Sequence, residues 1–141
     1  MARPFLSVIL PLRNEGMGLA LALVDVDQYL AAQEFSYEII AVSDGATDQS
    51  GERVKALTPF IQHLKIIQSV NAQGEGRAAR TGIMAAKGTW RLVLRPDHIP
   101  SVSQFSAFLP SLSGEGRPGL LIGRYWSPRG FLGMRRQKSA G

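Results

Sequence analysis

A nearly uninterrupted run of branched apolar residues, FLSVILPL over residues 5–12, constrains the fold of this chain more than any other feature. The run ends in a proline and a polar cluster, and it is far shorter than the roughly 20 apolar residues that cross a bilayer. This pattern is typical of a strand buried on both faces. Such strands occur in parallel sheets covered by helices, so the run predicts an α/β fold.

The rest of the chain alternates between strand-like and helix-like segments. Further strands are predicted over residues 37–43, 63–70, 89–94 and 119–125. Helices are predicted between them, over residues 16–33, 49–57, 74–87 and 101–112. This order is the pattern of an open sheet with right-handed crossovers. We therefore predict a Rossmann-like three-layer sandwich with a mainly parallel sheet of about five strands.

Length and composition limit the classes of protein that the chain can represent. Its 141 residues suffice for one domain with its own core, and we expect residues 1–126 to form it. The absence of cysteine excludes disulfide scaffolds, thiolate metal sites and cysteine nucleophiles. A net charge of +5 favours anionic partners. Residues 127–141 are expected to be a basic tail or a truncated acceptor region.

The apolar stretches near the start of the chain resemble a signal peptide or a membrane span but do not match either. Polar and charged residues interrupt the first at Arg13, Asn14 and Glu15, and the second at Asp25 and Asp27. Neither reaches the length of a bilayer-spanning helix. We expect a soluble, cytoplasmic chain whose surface can associate peripherally with a membrane.

Polar residues follow the predicted strands, where ligands bind in open α/β sheets. The segments that follow the first four strands are RNEG, DGATD, NAQGEGR and RPDH. Each alone is typical of a turn or a helix cap. In a parallel sheet all four would project from one edge, so together they predict a single ligand site.

Four ordered blocks carry a resemblance to a known family: VILPLRNEG, EIIAVSDGATD, VNAQGEGRAARTGIMAAKG and RLVLRPD. They resemble the family 2 glycosyltransferases, which have the GT-A nucleotide-sugar fold. The similarity is strongest to the branch that moves a hexose from a nucleotide sugar to a polyprenyl or dolichyl-type phosphate. The resemblance implies that the chain binds a UDP or GDP hexose. It further implies transfer of the sugar to a lipid-phosphate or glycan acceptor.

The resemblance also implies a nucleotide pocket at the ends of the first three strands. Pro11 and Glu15 match residues that line it, and Asp44 matches a carboxylate that accepts a hydrogen bond from the base or its ribose. The loop beside the base and the diphosphate is matched by Gly74, Gly76 and Arg77. The chemistry agrees, because a base needs a fixed acceptor and a diphosphate needs cations and backbone N–H donors.

The end of the fourth strand departs from the family pattern. Asp97 matches the last residue of an Asp-x-Asp motif that meets the ribose and a divalent metal, Mg²⁺ or Mn²⁺, but the first carboxylate is replaced by Arg95. An arginine cannot ligate a cation, so the metal site is incomplete, with Asp97 as its expected ligand. We assign Arg95 and Asp97 as the catalytic pair, and Arg124 resembles an arginine that faces phosphate.

Three further differences leave two interpretations open. Ser43 stands where the family often has an aspartate, Glu75 lies between the two loop glycines, and the chain stops at Gly141 where family members continue. In one interpretation Arg95 replaces the charge of the metal and the chain is a transferase. In the other it is an inactive remnant or fragment that only binds nucleotide.

Two other classes fit parts of the sequence. Residues 74–79 match G-x-G-x-x-A, the fingerprint of NAD-type dinucleotide binding, but that motif should open the first strand-to-helix turn. The basic residues after Trp126 would suit a nucleic acid, but no recognition motif accompanies them. We therefore expect a nucleotide sugar, and no nucleic acid, as the partner.

Overall fold

The computed structural model of the chain describes residues 3–12, 18–44, 50–69, 74–94, 105–106 and 109–112. Strands and helices alternate in the predicted order. The elements are β1 (Leu6–Leu12), α1 (Gly18–Ala31), β2 (Tyr37–Asp44), α2 (Ser50–Leu57), β3 (Leu64–Ser69), α3 (Glu75–Ala85), β4 (Trp90–Val93) and α4 (Leu109–Leu112). The predicted fifth strand, over residues 119–125, and the tail over residues 127–141 lie outside the described residues.

The four strands form one parallel sheet in the order β3-β2-β1-β4. Leu6 of β1 is paired with Tyr37 of β2 on one side and with Trp90 of β4 on the other. Residues Ile39 to Asp44 of β2 are paired in turn with β3. The parallel pairing predicted from the apolar run of β1 is therefore confirmed.

Every residue of β1 is buried, because helices cover both faces of the sheet at this strand. Leu6, Val8 and Leu10 point to one face, where they pack with residues of α1 and α2. Ile9 points to the other face, where it packs with Ala78 and other residues of α3. We call these the α1 side and the α3 side of the sheet. The double burial explains why polar residues are nearly absent from this strand.

Small residues let α3 approach the sheet closely. A Cβ atom on Gly82 would overlap the Ile9 side chain and lie 3.2 Å from Cγ2 of Val42. Ala78, on the same face of α3, and Ala86, just after the helix, are also buried. The spacing between α3 and the sheet is therefore set by glycine and alanine, which leave no room for a larger side chain.

A buried carboxylate fixes the connection between α3 and β4. Oε1 of Glu38 accepts hydrogen bonds from the Ser7 hydroxyl at 2.6 Å and from the backbone N–H of Lys87 at 2.7 Å. Ser7 Oγ in turn accepts the backbone N–H of Gly88 at 2.8 Å, and Lys65 Nζ lies 3.2 Å from Oε2 of Glu38. These bonds hold the α3–β4 connection against β1 and β2.

Polar and aromatic contacts attach α1 and the α1–β2 connection to the sheet. The Tyr37 hydroxyl donates to Oδ1 of Asp27 at 2.8 Å. Burial, this hydrogen bond and the charge of Asp27 together raise the pKa of Tyr37 to about 12. Phe35 contacts both Phe5 and Phe105, with ring centroids 5.1 and 6.3 Å apart.

Among the described helices, none is long and apolar enough to cross a membrane.

Candidate functional site

The order of the strands defines where a ligand would bind. The chain moves outward from β1 to β2 and β3, and then returns to the opposite side of β1 to form β4. The direction of winding therefore reverses between β1 and β4. In open α/β sheets the crevice at such a reversal, beyond the carboxyl ends of the strands, is the usual ligand site.

The register brings the carboxyl ends of the four strands to one edge of the sheet. Leu12 is paired with Ser43, and Asp44 with Ser69. On the other side of β1, the backbone N–H of Leu94 donates to the carbonyl of Ile9 at 2.9 Å. The segments after these strands therefore leave the sheet from the same edge. We call it the carboxyl edge.

Pro11 lies on β1 at the point where its pairing with β4 stops. The last pair between these two strands is Ile9 with Val93, followed by the bond from Leu94 to Ile9. The next bond of this parallel ladder would need an N–H at residue 11, which proline lacks. Pro11 thus interrupts this ladder at the winding reversal.

Gly74 begins α3 on the same edge, after β3. Its backbone has φ +94° and ψ 158°, a region that residues with a side chain rarely adopt. A Cβ atom there would meet nothing within 4 Å, so the backbone conformation alone requires glycine. Its carbonyl accepts the first bond of α3, from the N–H of Ala78 at 3.1 Å.

Gly76 and Arg77 lie in the first turn of α3 and are exposed. A Cβ atom on Gly76 would meet no atom within 4 Å, and its backbone has no positive φ. In the described part of the chain, neither space nor backbone geometry requires glycine at this position. The N–H groups of the first turn of a helix have no partner within it and can bind an anion.

The structure brings part of the predicted site together. Pro11, Gly74, Gly76 and Arg77 lie at or beside the carboxyl edge, and the backbone of Asp44 ends β2 there. Four other predicted site residues, Glu15, Arg95, Asp97 and Arg124, lie outside the described residues, so their roles remain predictions. Within the described ranges, no group of three or more His, Asp or Glu side chains could hold a metal ion.

Sequence reasoning missed the residues that support the site from the opposite edge. The sequence predicts Glu38 only as part of the strand over residues 37–43. Its position inside the apolar run YEIIAVS is the signal that could have identified it, because a carboxylate is rarely buried without a partner. Gly88 directly follows the helix predicted over residues 74–87. A Cβ atom on Gly88 would lie 2.6 Å from the backbone nitrogen of Ser7. Because glycine has no Cβ atom, the α3–β4 connection can lie in close contact with β1.

Comparison with known proteins supports the geometry. The family described as "Glycosyl transferase family 2" matches residues 7–140. Glycosyltransferase GlyG of Streptococcus pneumoniae is 28% identical over 86% of this chain and 39% of its own length. A dolichyl-phosphate beta-glucosyltransferase of Dictyostelium discoideum is 29% identical over 72% of this chain and 33% of its own length. The chain thus spans well under half the length of these relatives.

Solved structures share the fold. A mannosyltransferase from Pyrobaculum calidifontis, in complex with GDP-Man and Mn2+, superposes with a TM-score of 0.65 at 21% identity, over 82% of this chain and 34% of that one. TarS 1-349 of S. aureus, in complex with UDP-GlcNAc, gives a TM-score of 0.61 at 23% identity, over 76% of this chain and 30% of that one. The α/β, Rossmann-like fold of the GT-A type is therefore confirmed.

The dinucleotide alternative is not favoured by these findings. The glycines that match its fingerprint open α3, the third helix, and not the first strand-to-helix turn. The order of the strands, the shared fold and the match over residues 7–140 agree with one another. The chain belongs to glycosyl transferase family 2.

Proposed function

We propose that this chain binds a nucleotide-diphosphate hexose, with UDP or GDP as the nucleotide, at the carboxyl edge between β1 and β4. The proposed reaction is transfer of the hexose to a lipid-phosphate or glycan acceptor. The observation that carries the proposal is the winding reversal at β1, where Pro11, the end of β2 and the start of α3 lie on one edge. Structural neighbours were solved with GDP-Man and with UDP-GlcNAc.

Residues of the first three strand ends would hold the nucleotide. Asp44, at the end of β2, would accept a hydrogen bond from the base or ribose. Glu15 and Arg77 would shape the pocket, and Gly74 would let the backbone turn into α3 beside the diphosphate. The first-turn N–H groups of α3 supply donors for an anion there.

The leaving group of this reaction is a nucleotide diphosphate, whose developing negative charge must be offset. In the proposal Arg95 and Arg124 supply positive charge, and Asp97 meets the ribose or a divalent metal. A bound Mg²⁺ or Mn²⁺ would act as a Lewis acid on the diphosphate. A phosphate acceptor is already ionised and needs little help from a base. One relative is named for action on dolichyl phosphate, which is why we favour a lipid phosphate.

Calorimetric titration of the chain with UDP and with GDP, each with and without Mn²⁺, tests the proposal. The variant Asp44→Asn keeps the size of the side chain and removes its charge. Loss of a hydrogen bond to a charged acceptor should weaken binding of the preferred nucleotide about 10- to 100-fold. Asp25→Asn, an exposed position on α1, makes the same chemical change away from the edge and should leave affinity unchanged.

Two results would contradict the proposal. If neither nucleotide binds the unaltered chain, the carboxyl edge is not a nucleotide site. If Asp44→Asn binds as tightly as the unaltered chain, the base-reading role of Asp44 is wrong even though the site stands.

A further inference from the structure

The described charges differ in sign between α1 and α3, which lie on opposite sides of the sheet. On the α1 side, Asp25 and Glu34 are exposed on or just after α1, and the segment over residues 18–36 contains no basic residue. α2, on the same side, carries Glu52, Arg53 and Lys55. On the α3 side, Arg77, Arg80, Lys87 and Arg91 are exposed. The one acidic side chain described on that side, Glu38, is 6% exposed and lies against Lys65. The α3 side is therefore a basic surface.

The basic residues of α3 follow one line along the helix. Arg77, Arg80 and Met84 are spaced by three and four positions and share the outward face, and Lys87 follows just after the helix. Met84 is 74% exposed, so an apolar side chain stands in solvent between cations. From Arg77 to Met84 the line is about 10 Å long. We call this line, with Lys87 and Arg91, the basic face.

We propose that the basic face docks on a bilayer surface of anionic phospholipids. Cations on one helix face, with an apolar side chain among them, are what a headgroup layer accepts: the cations meet phosphates and the apolar group enters the acyl boundary. The acidic residues of α1 point away from the bilayer in this orientation, which favours the same pose.

The position of the basic face relative to the carboxyl edge supports this partner. Arg77 lies in the first turn of α3, at the edge, and Lys87 lies beyond the other end of the helix. Docking along this line places the carboxyl edge beside the headgroup layer. This part of the inference rests on the proposed function, because a lipid-phosphate acceptor would present its phosphate at the level of the lipid headgroups.

Two other anionic partners fit the basic face less well. α3 contains no aromatic residue, and Trp90 of β4 packs into the core of the α1 side, so no described aromatic side chain of this face could stack on bases. The acidic residues of α1 in a second copy would match the charge. That contact would be head-to-tail, however, and such contacts extend into open chains unless the rotation closes.

Cosedimentation of the chain with vesicles tests the proposal. The vesicles contain phosphatidylcholine alone or phosphatidylcholine with phosphatidylglycerol. We expect binding to the anionic vesicles only, weakening as salt is added. The double variant Arg80→Gln with Lys87→Gln should lose about fivefold in partitioning for each cation removed, roughly 25-fold in total. Neither side chain is assigned to the nucleotide site.

The control is Arg53→Gln with Lys55→Gln, which removes the same charge from α2 on the α1 side and should retain binding. Thermal unfolding of both double variants verifies that they fold. Their affinity for UDP and GDP, measured by calorimetry, separates this proposal from the nucleotide site, because it should not change in either variant.

Several results would overturn the proposal. Equal binding to neutral and anionic vesicles, or an equal loss in both double variants, would show that the basic face does not recognise headgroups. The basic face would be assigned to a second copy if the unaltered chain binds no vesicles but self-associates in sedimentation velocity, and if the double variant of Arg80 and Lys87 does not self-associate. Binding of an oligonucleotide, lost in the same variant and again without vesicle binding, would assign it to nucleic acid.

Discussion

Replacing Glu38 should reveal how strongly the edge opposite the candidate site is held. The carboxylate accepts two short hydrogen bonds, a buried one from the Ser7 hydroxyl at 2.6 Å and a partly buried one from the Lys87 N–H at 2.7 Å. Hydrogen bonds to a charged group contribute about 1.5–3 kcal/mol each. Lys65 adds less than about 1 kcal/mol, because its side chain is 51% exposed and water screens the pair.

Glu38→Ala should therefore lower the free energy of unfolding by about 3 kcal/mol, because it leaves the Ser7 hydroxyl and the Lys87 N–H without their acceptor. Glu38→Gln keeps an amide oxygen for both donors but loses the charge and the oxygen that faces Lys65, so it should cost about 1 kcal/mol. For a chain of this size 1 kcal/mol corresponds to about 3 °C in melting temperature. Thermal unfolding followed by circular dichroism should then place the two variants about 9 °C and about 3 °C below the unaltered chain.

The same carboxylate predicts a dependence of stability on acid. Burial alone raises the pKa of Glu38, but hydrogen bonds from the Lys87 backbone, Ser7 and Lys65, with the charge of Lys65, outweigh it and hold the pKa below its ordinary value of 4.5. The unfolded chain then binds the proton more readily than the folded chain. The stabilisation is complete above pH 4.5 and is lost as the pH falls through the folded-state pKa.

Glu38→Gln should flatten the acid limb of the stability curve below pH 4.5. Urea unfolding at a series of pH values measures this slope. Equal destabilisation by Ala and Gln, or an acid limb that is unchanged in Glu38→Gln, would refute the reasoning, because the charge and its acceptor geometry would then not stabilise the fold.

Two further predictions concern packing and the attachment of α1. Gly82→Ala should destabilise the chain by about 1–2 kcal/mol, because overpacking against Ile9 exceeds the gain in helix propensity. Gly76→Ala, where the added methyl group meets open space, should stabilise the chain by about 0.5 kcal/mol. If chemical denaturation ranks the stabilities of these two variants the other way, the packing described for α3 is wrong. Tyr37→Phe should cost about 1 kcal/mol by removing the bond to Asp27, and ultraviolet titration should lose a tyrosine that ionises at about pH 12. Because that pKa is raised from 10.0, the stabilisation is complete below pH 10 and is lost as the pH rises through about 12. If Tyr37→Phe loses stability at alkaline pH as the unaltered chain does, Tyr37 does not stabilise the fold in this way.

The arrangement of elements could be predicted because the relevant signals are local. A strand buried on both faces must be apolar throughout, as β1 is, and in α1 the apolar residues Leu23, Val26 and Leu30 recur at helical spacings of three and four. The bounds of β2 and β3 differ from the prediction by only one residue at an end: β2 ends at Asp44 and β3 is Leu64–Ser69. The position of Asp44 at a strand end followed from the same reasoning.

The candidate site was predictable only in part. The polar segments after the strands, and the family resemblance, identified Asp44, Gly74 and Arg77 as residues of one edge. The positive φ of Gly74 explains the need for glycine there, while Gly76 has no such requirement among the described contacts. Sequence spacing could not separate these two glycines, because it contains no information on backbone angles.

By itself, the sequence determined the order of strands and helices, the parallel character of the sheet and the edge from which its polar loops leave. These properties depend on periodicity and on residues that are neighbours in the chain. Only the tertiary structure decided the strand order β3-β2-β1-β4, the role of Pro11 in interrupting the ladder at the winding reversal, and the network in which Glu38 joins residues 31 and 49 positions away. Those features depend on contacts between distant segments, which form only when the sheet assembles.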